Sequence, residues 1–172
     1  MLTIIPRIID SITGRVAELV KWIVLLLALV NCYEVVMRYA FGRPSVWAYD
    51  ISYMLGGSFF VLGIGYALLT KAHVRVDVVY VHWSQKTRAL VDVLLSLFLF
   101  FPAFSVLLYK LVPWVIRSWE RKEKASGSFW LPPIYPLKTI ILIAVVLLLL
   151  QGVSELCKDL KVLTTKKEET AE

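Results

Sequence analysis

Glu34 and Arg38 stand four residues apart inside an apolar run, and Asn31 adds a third polar group on the same helical face. Glutamate precedes arginine, the order that favours pairing along a helix. Ionisable groups at membrane depth either line a path for protons and ions or lock a helix to a neighbour. This pair neutralises itself and Arg38 can snorkel outward, so the residues favour the lock. His73 and Asp77, also four apart, with His82 beyond, are types that ligate zinc or iron. Their spacing fits no closed metal motif and no further Cys or His lies nearby, so no metal is expected and the cluster reads as interfacial ion pairing. Asp92 reads as an end-of-helix carboxylate at headgroup depth. Cys32 and Cys157 read as small hydrophobes.

The parts of an enzyme are missing. The sequence has no phosphate-binding lysine loop, no nucleophile elbow, no cysteine pairs for an iron–sulfur centre and no deep histidine pair for haem, so no cofactor is expected. Nor does it carry an internal inverted repeat or a pair of broken helices, the marks of a self-sufficient carrier.

These residues must be positioned by membrane helices. The 172 residues are 59% hydrophobic and the mean hydropathy is +0.72, more apolar surface than a domain of this size can hide in its own core. Charge falls in blocks between apolar runs, so the net charge of +6 speaks of membrane orientation and not of nucleic acid. The spacing predicts an all-α integral membrane protein. An amphipathic interfacial helix over 4–19, with Arg7, Asp10, Ser11 and Arg15 on its polar side, or as the alternative a plain N-terminal extension of the first span, precedes four spans at 22–41, 51–70, 89–115 and 137–156.

Gly42-Arg43-Pro44 ends the first span, and a tight exit with Trp47 and Tyr49 at headgroup depth makes the first two spans antiparallel neighbours. Gly56, Gly57, Gly63, Gly65 and Ala67 in the second span suit close approach of another helix. Ser84 begins the cap of the third span, in which Pro102 predicts a kink or a tilt. A charged loop from Arg117 to Lys124 leads to an Ala-Ser-Gly-Ser stretch expected to be a flexible tip, and a proline-rich segment, Leu131 to Pro136, stiffens the return. The tail beyond Lys158 is expected to fray. Lys and Arg number 11 on the side holding both termini and 8 on the other, which predicts N-in and C-in.

The run Arg38-Tyr-Ala-Phe-Gly-Arg43-Pro44 with Trp47 and Asp50, followed by a glycine-rich span ending Gly65-Tyr-Ala-Leu-Leu-Thr-Lys-Ala-His73-Val-Arg75-Val-Asp77, resembles the small transmembrane subunit of tripartite ATP-independent periplasmic (TRAP) transporters. The proline-rich approach to the fourth span and Gln151-Gly152 near its exit share the resemblance. Asp50 stands where that family commonly shows glutamate, which keeps the charge.

The resemblance implies a bacterial inner-membrane heterodimer with a large permease subunit, fed by a periplasmic substrate-binding protein that delivers an organic acid. It also implies sodium-gradient drive, with sodium and substrate held on the large subunit. On this reading Glu34, Arg38, Trp47, Asp50, Gly56, Gly63, His73, Arg75 and Asp77 would face the large subunit. Arg43, Glu120, Arg121 and Lys124 would meet the binding protein. The alternatives are a small stand-alone carrier or channel, with Glu34 and Arg38 lining a path, and a membrane anchor for another complex.

Overall fold

The computed structural model describes residues 4–72 and 83–168. Helix α1 spans Ile4–Tyr39, α2 Ala48–Leu69, α3 Gln85–Leu95, α4 Phe101–Glu120 and α5 Tyr135–Glu168. A π-helical turn, Ser96–Phe100, joins α3 to α4, so the two make one long span. Among the described residues, four helical stretches are therefore long and apolar enough to cross a membrane.

The segment 4–19 is not a separate helix. It runs without a break into the first span, giving 36 residues, roughly 54 Å of helix. No proline or glycine stands between Arg15 and Tyr39 to end it, and Asp10 and Thr13 find partners on α5 while Arg7, Ser11 and Arg15 stay exposed. The chain past Lys158 likewise stays helical, to Glu168, instead of fraying.

Each turn has a local cause. Gly42 adopts φ +63°, which lets the Arg43 N–H return to the Met37 carbonyl at 3.0 Å and closes α1. Ser84 caps α3 by accepting the Thr87 N–H. Pro102 has no N–H for the Phe98 carbonyl, and directly before it the backbone widens so that the Phe101 N–H reaches back to Ser96. The irregularity expected at Pro102 thus takes the form of a π turn.

Helix α5 is the element the others share: it packs against α1, α2, α3 and α4, while α1 also packs on α2. Many of the buried residues are small or β-branched, among them Ala48, Ala89, Val115, Ala144 and Val145, which lets backbones come close. Outside them lies a broad apolar surface, with Phe60 and Tyr109 each 74% exposed. Such a surface is stable only against lipid or another protein.

Candidate functional site

Polar side chains gather at the two ends of the bundle. At the loop end, Arg38 donates to Glu34 Oε1 through Nη2 at 2.7 Å and Nε at 3.1 Å. The other carboxylate oxygen, Oε2, accepts the backbone N–H of Ser45 at 2.9 Å. Glu34 therefore closes the hairpin as well as neutralising Arg38. Trp47 stacks on Tyr33, ring centroids 5.4 Å apart, and fixes the exit loop to the helix it has just left. Asp50, in the first turn of α2, accepts from Ser128 in the loop between α4 and α5.

That loop is built, contrary to the flexible tip expected. Ala125 N–H reaches the Pro132 carbonyl at 2.9 Å and Ile134 N–H reaches that of Glu123 at 3.0 Å, a short antiparallel bridge. Lys138, buried at the start of α5, pairs with Glu123 and sits 4.1 Å above the Trp114 ring. The Lys138 ammonium holds the Glu123 carboxyl below its ordinary value. Trp119 donates to Thr139 at 2.8 Å and packs on Tyr135. Arg43, Glu120, Arg121 and Lys124 are all exposed at this end.

The opposite end holds a cluster that motif reading missed. Asp10 Oδ1 accepts from Gln151 Nε2 at 2.9 Å and from Ser154 Oγ at 2.7 Å, while Oδ2 meets Lys158 Nζ at 2.8 Å. Thr13 donates to Gln151 Oε1 at 2.7 Å, and Lys158 also binds Glu155 at 2.6 Å. Gln151 and Ser154 are completely buried. The visible signal was the stripe Gln151, Ser154, Lys158 at helical spacing at the end of an apolar run, with Asp10 and Thr13 three apart near the other terminus. His73, Arg75 and Asp77, expected at this end, lie outside the described residues, as does His82.

The glycines of α2 divide by what faces them. Gly57 lies against Leu137 and Gly65 against Thr13, so these two admit α5 and α1. A Cβ at Gly56 or Gly63 would meet nothing within 4 Å. Gly152 is tightest: a Cβ there would come within 2.3 Å of the Phe100 ring, which explains glycine where the π turn crosses α5. Among the described residues no group of three or more His, Cys, Asp or Glu could hold a metal, and Cys32 and Cys157 are free.

These features define a polytopic helical membrane protein whose buried polar groups bind its helices to one another. Residues 12–162 match the family described as tripartite ATP-independent periplasmic transporters, DctQ component, and the chain belongs to that family, the small membrane subunits of TRAP transporters. It is a family of transporter components and not of enzymes. No curated protein and no solved structure matches the chain.

Proposed function

We propose that the chain is the static scaffold of a TRAP transporter in a bacterial inner membrane, bound to a large permease subunit that carries substrate and sodium. In this reading both termini are cytoplasmic, the loop end is periplasmic, and uptake of an organic acid is driven by the sodium gradient. The observation that carries it is the open face of α2. Gly56 and Gly63 share a helical face two turns apart, a Cβ at either would have no atom within 4 Å, and Tyr53 and Phe60 project beside them at 67% and 74% exposure. Shallow notches beside large aromatic side chains suit a second helix, and the clamps at both ends of the bundle would keep this face fixed while a partner moves. Arg38, Trp47 and Asp50 would brace its outer end, and His73, Arg75 and Asp77 its inner end. Arg43, Glu120, Arg121 and Lys124 are exposed at the loop end, which suits contact with a substrate-binding protein.

The test is reconstitution. The chain with its large subunit should take up substrate from its binding protein under an inward sodium gradient, and the chain alone should not; uptake by the chain alone overturns the scaffold. Gly56→Leu with Gly63→Leu should reduce recovery of the large subunit on co-purification while leaving helicity intact. Undiminished recovery removes α2 as the interface.

A further inference from the structure

One helix face carries charge that the bundle does not use. Lys110 and Arg117 lie seven residues apart on α4, which returns them to the same side of the helix. Both are exposed, and both border an open cleft on the surface of α4 itself, with Ser105, Leu108, Tyr109, Val112 and Pro113 of the same helix. Arg38 and Lys138, helical cations at the same end of the bundle, each hold a carboxylate. Among the described residues, neither Lys110 nor Arg117 has a carboxylate at ion-pair distance.

Depth and direction bring the two charges together. The stretch from Val93 to Tyr109 carries no charge and covers about 25 Å of helix, most of a hydrocarbon layer of about 30 Å. Lys110 therefore stands at the hydrocarbon border, where its stem lies in the apolar layer and its ammonium reaches toward the headgroups. Arg117 is about 10 Å farther along the helix, but its Nε donates to the Pro113 carbonyl at 3.2 Å, which folds the side chain back along the helix in the direction of Lys110. Tyr109, with Lys110 Nζ 5.6 Å from its ring centre, and Trp114 mark the same interfacial depth. Below the charges the cleft continues as apolar wall at Leu108.

We propose that this cleft binds an anionic glycerophospholipid, its phosphate held between Lys110 and Arg117 and an acyl chain lying along Leu108. Two cations uncompensated by the chain call for an anion. Headgroup depth with an apolar groove beneath selects a lipid over a soluble phosphate.

The test uses the full chain in mild detergent, titrated with phosphatidylglycerol or phosphatidylcholine and read by native mass spectrometry. Phosphatidylglycerol should bind in preference. Lys110→Gln with Arg117→Gln should weaken it on the order of thirtyfold, roughly fivefold for each cation beside an anionic headgroup, and leave phosphatidylcholine unchanged. The loop pair Lys122→Gln with Lys124→Gln, the same loss of charge, should leave both lipids unchanged. Swapping the cations, Lys110→Arg with Arg117→Lys, should retain binding, and the single change Arg117→Gln gives an intermediate reading if the double variant loses helicity. Equal weakening by the loop pair overturns the site. So does full binding in Lys110→Gln with Arg117→Gln, and so does a loss of large-subunit recovery in that variant without any change in lipid, which would assign the two cations to a partner's carboxylate.

Discussion

Lys158 Nζ lies 2.8 Å from Asp10 Oδ2, which ties the first helix to the last at the end of the bundle that holds both termini. The same carboxylate accepts Gln151 and Ser154, so one acidic group organises the seam. In a membrane such a seam matters because apolar side chains gain little by leaving lipid, and polar contacts must supply much of the preference for one helix pairing.

The Asp10–Lys158 pair should show coupling in a double-mutant cycle. With Asp10→Asn and Lys158→Met, the interaction energy is expected at about 0.6 to 2 kcal/mol, the range for polar contacts between membrane helices. Thermal unfolding in detergent measures it, and strict additivity of the two changes would show that the pair contributes nothing beyond its separate members.

Gly152→Ala should be more damaging than its size suggests, since the new methyl meets the Phe100 ring. Overpacking of this kind costs about 1–3 kcal/mol. The penalty should shrink in a Phe100→Leu background. A melting-temperature loss that is the same in both backgrounds would place its origin elsewhere.

Glu34→Ala removes the acceptor for both Arg38 and the Ser45 N–H, whereas Glu34→Gln keeps an acceptor for the latter. Loss of stability should therefore be larger for alanine, by about 1 kcal/mol. Amide exchange at Ser45 reports it directly, with faster exchange in the alanine variant alone.

Protonation should loosen the loop between α4 and α5. Lys138 holds the folded Glu123 below its ordinary 4.5, so the pair's contribution is present above that value and is lost as pH falls through the lowered folded value. Amide exchange at Ile134, whose N–H bonds the Glu123 carbonyl, should accelerate over that acidic range. Lys138→Met should weaken the pH dependence, and an unchanged profile in that variant would exclude the Glu123–Lys138 pair as its source.

What the sequence determined by itself was everything that depends on neighbours along the chain. Hydrocarbon excludes charge, so the four apolar runs were legible as spans. The Glu34–Arg38 bond follows from helical spacing, the end of α1 from Gly42 and the start of α3 from Ser84. Family membership was legible for the same reason, because the motif from Arg38 to Asp77 is local. Tertiary structure alone decided which polar residues meet across the bundle and which glycines are notches. Gly57 and Gly56 are adjacent in sequence, yet one lies against Leu137 and the other is open. Asp10 read as the wet side of a surface helix until α5 brought Gln151, Ser154 and Lys158 to it. A helical period shows which residues share a face. What covers that face is set by packing between segments far apart in the chain.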